Sequence, residues 1–127
     1  MYLVYTFINK IYKWLPIIML CHCRDDRSFH TNGLRHPVCA RCEGITIGFL
    51  VGLVSAAIIR LPVKILFLLL LPLVLDGTIQ KVTSYESTNI RRLITGLMYG
   101  YALSSLIVIS FTAVFSFGYE IGLKLYS

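Results

Sequence analysis

Two long apolar runs constrain the fold of this chain more than any other feature of its sequence. Residues 65–75 contain no polar side chain, and residues 93–117 form a run long enough to cross a bilayer, which needs about 20 residues. Only 14% of the 127 residues are charged, whereas a soluble domain carries about 25%. A soluble domain of this size could not bury so much apolar surface, and a disordered chain would be far more polar. The sequence therefore predicts an all-α integral membrane protein.

Apolar and polar segments alternate along the chain in a pattern that predicts one small polytopic membrane domain over residues 1–127. We expect an N-terminal helix at 2–20, a polar loop at 21–43, and three transmembrane helices at 44–60, 63–80 and 93–117. Only 15 residues separate Arg60 from Asp76, so the middle helix must extend to Gln80 to cross the bilayer. This extension places Asp76 close to the membrane surface.

The N-terminal segment at 2–20 is predicted to be an amphipathic helix. Its polar side chains Asn9, Lys10 and Lys13 fall on one side at helical spacing, and apolar side chains cover the rest. Such a helix lies in the membrane interface with its lysines in water. The alternative is a fourth transmembrane helix, in which both lysines must face protein or extend to the head groups.

Small residues recur every four positions in two of the predicted transmembrane helices. One stripe is Gly44, Gly48, Gly52 and Ala56, and the other is Gly96, Gly100 and Ser104. Small residues at this spacing let two helix backbones approach closely in lipid. We expect these two helices to touch along their stripes. The same stripes also offer a contact to a second copy of the chain, which would give a homo-oligomer.

The positive charges predict both the partners of the chain and its orientation. The net charge is +6, but the basic residues flank apolar runs instead of forming one basic face. Membrane lipids, including anionic head groups, are therefore the expected partners, and nucleic acid is not. Seven basic residues lie on the side of the 21–43 loop: Arg24, Arg27, Arg35, Arg41, Lys81, Arg91 and Arg92. Three lie on the other side: Arg60, Lys64 and Lys124. This asymmetry predicts a multi-pass protein of the cell membrane with the loop in the cytoplasm, where thiols stay reduced.

All four cysteines of the chain lie in the 21–43 loop as two close pairs. Two such pairs separated by a loop are typical of a single tetrahedral zinc ion. The candidate ligands are Cys21, His22, Cys23, Cys39 and Cys42. His30 and His36 lie between the pairs and are also available as ligands. Redox-active thiols, or thiols without any ligand, are the alternatives.

A second group of polar residues is predicted to gather beneath the cysteine loop. Asp76 directly follows the longest apolar run, and an ionisable residue at this depth is a candidate for function. Because the helices at 63–80 and 93–117 are joined by a short segment, polar residues at both of its ends must meet at one membrane surface. The predicted pocket consists of Asp76, Gln80, Glu86, Asn89, Arg91 and Arg92. Arg91 or Arg92 is the expected partner of Asp76.

Four motifs carry a resemblance to a known family. They are Cys-His-x-Arg-x-x-Arg-Ser-Phe from Cys21, Pro-Val-Cys-Ala-Arg-Cys-x-Gly-Ile from Pro37, Leu-x-x-Asp-Gly-x-x-Gln from Leu73, and Glu-Ser-Thr-Asn-x-x-Arg-x-x-Thr-Gly from Glu86. Over roughly residues 20–101 the chain resembles the small predicted bacterial membrane proteins called domain of unknown function 2085. In that family Gln commonly follows Cys-His, where this chain has Cys23, so the resemblance favours Cys21, His22, Cys39 and Cys42 as the core ligands. It implies an architecture and a site but no reaction.

Three functional hypotheses follow from these patterns. The first is a membrane protein with a zinc-binding cap on the cytoplasmic side and an adjacent polar pocket. The second is a small zinc-dependent membrane enzyme acting on lipid head groups or phosphate, with Asp76 or Glu86 as the catalytic base and Arg91 and Arg92 on the phosphate. The third is a membrane thiol–disulfide oxidoreductase that uses the cysteine pairs. The sequence by itself assigns no reaction.

Overall fold

Four helices and one short hairpin make up the part of the chain that the structure, a computed structural model, describes: residues 2–18, 21 and 24–127. The helices are α1 (Tyr2–Ile18), α2 (Ala40–Ser55), α3 (Val63–Val82) and α4 (Asn89–Tyr126). A single 3-10 turn (Asp25–Arg27) and the strands β1 (His30–Thr31) and β2 (Leu34–Arg35) lie between α1 and α2. The predicted helices are thus present, and the chain is mostly helical.

The ends of the helices differ from the sequence prediction for local reasons. Helix α2 begins four residues earlier than predicted, because Cys39 is its N-cap and the charged first turn continues into the apolar run. Helix α4 also begins four residues early, because the hydroxyl of Thr88 caps it by accepting the N–H of Arg91. It continues to Tyr126, nine residues beyond the predicted end. Helices α3 and α4 are long and apolar enough to cross a membrane, whereas α2 has only 16 residues.

The expectation of an all-α fold is wrong in one detail, because the polar loop contains a small antiparallel sheet. Strands β1 and β2 pair with His30 opposite Arg35 and Thr31 opposite Leu34. The two residues between them, Asn32 and Gly33, have φ angles of 52° and 78°. Positive φ at both positions is the requirement of a tight hairpin turn, which Asn-Gly meets best.

Helix α4 is the scaffold of the bundle, because both α2 and α3 pack against it. The two small-residue stripes face each other, as predicted, and they run parallel. A Cβ added to Gly48 would overlap the carbonyl oxygen of Leu97 and lie 2.9 Å from its Cα. From the other side, a Cβ added to Gly100 would overlap the carbonyl oxygen of Ile45. The backbones of α2 and α4 are therefore in direct contact, and the stripes are occupied within one chain.

Apolar side chains cover the outside of the bundle instead of its interior. The buried residues between the helices are mostly small, such as Ala102, Ser104 and Ser105, whereas Leu68 on α3 and Ile107 on α4 are exposed. Helix α1 likewise exposes Phe7 and Trp14. Exposed apolar faces around a small-residue interface are the arrangement expected of helices that contact lipid.

We predict that Gly48→Ala destabilises the bundle by about 1–3 kcal/mol, because its methyl group would force the backbones of α2 and α4 apart. Thermal unfolding of the purified protein in detergent, followed by circular dichroism, measures this effect. Gly118→Ala is the matched control, since an added Cβ at that position of α4 meets nothing within 4 Å. Equal stability of the two variants would contradict the described contact between the helices.

Candidate metal centre and polar core

Three of the four cysteines form a cluster at the N-terminal end of α2. Cys39 is the N-cap of α2, Cys42 lies in its first turn, and Cys21 reaches them from the segment after α1. The sulfur atoms of these three residues all lie within 4.8 Å of one another. All three are free thiols. The cluster has the size and composition needed to hold a metal ion.

The loop between the cysteines folds so that residues far apart in sequence become neighbours. The hairpin turns the chain back on itself, and the N–H of His36 donates to the carbonyl oxygen of Phe29 at 2.8 Å. The N–H of Cys39 then donates to the sulfur of Cys21 at 3.3 Å. The start of α2 thus positions the sulfur of Cys21 beside Cys39.

The charge state of Cys39 also suits a metal ligand. A hydrogen bond from the Cys42 side chain lowers the pKa of Cys39 to about 5, although burial opposes this shift. Cys39 is therefore a thiolate near neutral pH, which is the form that binds metals. In tetrahedral zinc sites the zinc–sulfur distance of about 2.3 Å places sulfur atoms about 3.8 Å apart. Since no two of the described sulfurs are more than 4.8 Å apart, shifts of about 1 Å or less would bring them to that separation.

The fourth ligand of a tetrahedral site has to come from elsewhere in the loop. The sequence candidates His22 and Cys23 lie outside the residues that the structure describes. The other two histidines of the loop have different partners. His36 contacts Glu43 through Nδ1 at 3.1 Å and Thr31 through Nε2 at 2.8 Å, and His30 contacts Asp25 at 3.2 Å. These histidines hold the hairpin and the start of α2 together.

A polar core lies next to the cysteine cluster, where α2, α3 and α4 meet. Asp76 on α3 is only 7% exposed. One of its carboxylate oxygens accepts three hydrogen bonds, from Arg41 at 2.6 Å, Gln80 at 2.8 Å and Ser87 at 3.2 Å. The ion pair with Arg41 is a charge-assisted hydrogen bond, the strongest type in a partly buried position.

The partner of Asp76 differs from the sequence prediction, which expected Arg91 or Arg92. Arg41 takes this place because the glycine contacts bring the first turn of α2 beside the start of α4. Helix α3 also has no side chain at Gly77, where an added Cβ would lie 4.0 Å from the guanidinium of Arg41. Arg41 lies between Cys39 and Cys42 in sequence, so it links the cysteine cluster to the polar core.

Ser87 connects the remaining members of the polar core. Its hydroxyl accepts from Gln80 at 2.6 Å and from Nε of Arg92 at 3.2 Å. The guanidinium of Arg92 also donates to the side chain of Asn89 at 3.4 Å. Sequence reasoning missed Arg41 and Ser87 as members, although both lie inside the motifs that it singled out.

Two of the six residues predicted for the pocket lie at its surface instead. Glu86, with a side chain 71% exposed, pairs with Arg27 at 3.7 Å. Arg91 donates a hydrogen bond to the hydroxyl of Tyr85, and its guanidinium carbon lies 5.7 Å from the centre of that ring. The structure thus joins Asp76, Gln80, Asn89 and Arg92 in one network and leaves Glu86 and Arg91 outside it.

The apolar outer surface and the two helices long and apolar enough to cross a membrane are features of a helical membrane protein. Residues 21–106 match the family model described as "Predicted membrane protein (DUF2085)", which is more than half of the chain. The chain therefore belongs to this family of predicted membrane proteins. The matched region includes the cysteine cluster and the whole polar core.

Two uncharacterized archaeal proteins are similar to this chain. An uncharacterized protein of Methanocaldococcus jannaschii is 38% identical over 92 residues, which are 67% of this chain and 59% of that protein. An uncharacterized protein of Methanothermobacter thermautotrophicus is 36% identical over 94 residues, which are 68% of this chain and 83% of that protein. Both organisms are archaea, so the bacterial setting implied by the resemblance has no support here. No solved structure matches the chain significantly.

We predict that Asp76→Asn and Arg41→Gln each lower the free energy of unfolding by about 2–3 kcal/mol, because each leaves a charge of the polar core without its partner. The double variant should lose clearly less than the sum, with a coupling of about 1 kcal/mol or more. Unfolding in detergent measures the three variants. Asp26→Asn, which breaks the surface pairs with Arg24 and Arg27, is the control and should cost less than about 1 kcal/mol. Strict additivity would contradict a direct interaction.

Proposed function

We propose that this chain is a multi-pass membrane protein whose cytoplasmic cap is closed by one zinc ion. In this proposal Cys21, Cys39 and Cys42 bind the ion, and His22 or Cys23 completes the tetrahedron. The observation that carries the proposal is the approach of three sulfur atoms to within 4.8 Å of one another, from two segments of the loop that are 18 residues apart.

The chemistry of the cluster favours zinc over other ions. Thiolates are soft ligands, which suit zinc, copper(I) and iron–sulfur centres better than magnesium or calcium. Zinc needs a tetrahedral set of sulfur and nitrogen ligands, and the two sequence candidates for the fourth position supply one or the other. Closed sites of this type organise short polar segments that have little apolar core of their own.

The cap, which is the polar loop between α1 and α2, has too little structure of its own to be stable without a bound metal. Its two strands have two residues each, and a hairpin of this size is not stable alone in water. Within the described part of the cap, Val38 and Ser28 are buried, but most side chains of the hairpin are exposed. A metal ion bound at the base of the loop would fix it against α2.

The same ion would also act on the helices. Arg41 lies between two of the proposed ligands, and its guanidinium reaches Asp76 on α3. Ser87, just before α4, donates to the same carboxylate. Zinc binding would therefore hold the ends of α2, α3 and α4 together. We propose this clamp as the role of the metal.

The connection between α2 and α3 supports α2 as a third crossing of the membrane. Helix α2 runs parallel to α4, and both begin at the capped end, whereas α3 ends there. The start of α3 therefore lies at the other membrane face, and only residues 56–62 join it to α2. A link of seven residues cannot also cross a hydrocarbon layer of about 30 Å, so α2 has to cover most of that distance.

An oxidoreductase remains the second candidate, and one observation favours it. A Cys-x-x-Cys pair at the start of a helix, with one thiol of low pKa, is also what a redox-active disulfide requires. The third sulfur and the predicted cytoplasmic location favour the metal. The zinc-dependent enzyme is a different alternative, and it needs a carboxylate that is available as a catalytic base. Both candidates have other partners, because Asp76 accepts three hydrogen bonds and Glu86 pairs with Arg27.

We predict that protein purified without chelators contains about one zinc per chain, and that Cys21→Ser, Cys39→Ser and Cys42→Ser each reduce it below about 0.2 equivalents. Elemental analysis by mass spectrometry measures the content. Comparison of His22→Ala with Cys23→Ser identifies the fourth ligand. The controls are His30→Ala and His36→Ala, whose ring nitrogens contact other side chains. Wild-type protein without metal, and with a Cys39–Cys42 disulfide, would favour the oxidoreductase.

We predict that single cysteines at Asn32 and Ser84 react with a membrane-impermeant maleimide only after the cells are opened, because seven basic residues hold this side in the cytoplasm. Both positions are exposed in the structure, so burial does not limit their labelling. A cysteine at the exposed Ala57, beyond the end of α2, is the control for the other side and should react in intact cells. The reverse labelling pattern would refute the proposed orientation.

A further inference from the structure

One guanidinium of the polar core has no acidic partner. Arg92 is 4% exposed, and among the described residues no carboxylate lies within ion-pair distance of it. Its hydrogen bonds go to the hydroxyl of Ser87 and the amide oxygen of Asn89, which are both neutral. The one buried carboxylate nearby, Asp76, is paired with Arg41. The core thus contains two guanidinium groups for one carboxylate.

A buried charge without a counter-charge is strongly unfavourable, so native proteins pair such groups or use them to bind ligands. Arg27 lies at the surface of the core, where its ion pairs with Asp26 at 3.6 Å and with Glu86 at 3.7 Å are both longer than a hydrogen bond. Its Nε atom is buried without a hydrogen-bond partner, and so is the Nε atom of Arg41. Arg27, Arg41 and Arg92 therefore come from three segments to one region, and two of them have an N–H donor without a hydrogen-bond acceptor.

The backbone contributes positive potential at the same place. Helix α4 begins at Asn89, and the first N–H groups of a helix carry partial positive charge. Arg92 lies in that first turn. Two independent features therefore favour a negative charge at this point, namely the unpaired buried guanidinium and the helix end.

The structure also shows where an anion would enter. Arg27 and the carboxylate of Glu86 are 3.7 Å apart, which is beyond hydrogen-bond distance, and the side chain of Glu86 is mostly exposed. The amide of Asn89 reaches the carbonyl oxygen of Ser28 at a long 3.5 Å. The loop is therefore joined to this end of α4 by long contacts, and an incoming anion can replace Glu86 at Arg27.

We propose that Arg92 and Arg27, at the N-terminal end of α4, form a binding site for a phosphate group. Planar guanidinium groups match phosphate oxygens in a bidentate manner, which favours phosphate over a simple halide. The site lies where α4 begins, at the level of the lipid head groups. The ligand is either the phosphate of an anionic lipid or a free phosphate, and this proposal does not depend on the zinc ion.

Thermal unfolding of the full chain in maltoside micelles, which contain no phosphate, tests the proposal. Inorganic phosphate is added in one arm and phosphatidylglycerol in the other. We expect the unfolding temperature of the wild type to rise in at least one arm, because a ligand that binds only the folded state stabilises it. The arm that responds identifies the source of the phosphate.

Charge-neutralising variants separate the site from general ionic effects. Arg92→Gln should abolish the rise, because it removes the buried guanidinium of the proposed site. Arg27→Gln, at a partly exposed position, should weaken binding about tenfold even if Arg92→Gln fails to fold. Glu86→Gln should strengthen binding by removing the competing carboxylate. Arg60→Gln, at the other end of the bundle, is the matched control and should respond as the wild type does.

Two results would overturn the phosphate site. One is a wild-type unfolding temperature that changes in neither arm. The other is a rise that is equal in the wild type, Arg27→Gln and Arg60→Gln, which would indicate an effect of ionic strength. The zinc content of the same samples, measured in parallel, reports separately on the proposed cap.

Discussion

The contact between the backbones of α2 and α4 is the interaction on which the rest of the structure depends. Glycines on both helices leave no room for a Cβ atom, so the helices meet at one distance and in one register. In lipid, helices do not gain from burying apolar side chains, and close packing of this kind is what holds them together. The contact starts at the first turn of α2, where Gly96 of α4 lies against the carbonyl oxygen of Arg41. This contact therefore fixes the position of the cysteine cluster, along the helix axis, relative to the start of α4.

The polar core follows from that register. With α2 and α4 aligned at one end, Arg41 can reach Asp76 on α3, which packs against α4, and Ser87 can bridge the same carboxylate to Arg92. The cysteine cluster lies one side chain away from this network, because Arg41 belongs to the same turn as Cys42. The proposed metal site and the polar core thus lie next to each other at the N-terminal end of α2. Each restricts the movement of the other.

The sequence predicted the contacts that depend on the spacing of residues along one helix or loop. It missed the contacts that depend on how one helix is rotated about its axis relative to its neighbour. Four-residue spacing was enough to predict the contact between the stripes, and paired cysteines were enough to predict their cluster. The partner of Asp76 could not be obtained in this way, because the choice between Arg41 and Arg92 depends on how α2 is rotated against α3. The hairpin was missed although Asn32-Gly33 is a strong turn signal, since strands of two residues show no alternation. The early start of α4 was recognisable from Thr88, whose hydroxyl caps that helix.

The length of α4 determines where its far end can lie. Its 38 residues extend for about 57 Å at 1.5 Å per residue, whereas the hydrocarbon layer is about 30 Å thick. Keeping the whole helix within that layer would require a tilt of about 60°, and transmembrane helices tilt by no more than about 40°. If α4 starts at one membrane surface, its last turns emerge from the opposite one. Glu120 and Lys124 fall in that part, and Tyr119 and Tyr126 have the amphipathic rings that prefer the boundary between lipid and water. In the orientation proposed here, α4 would therefore extend through the bilayer with its C-terminal end in the solution on the far side.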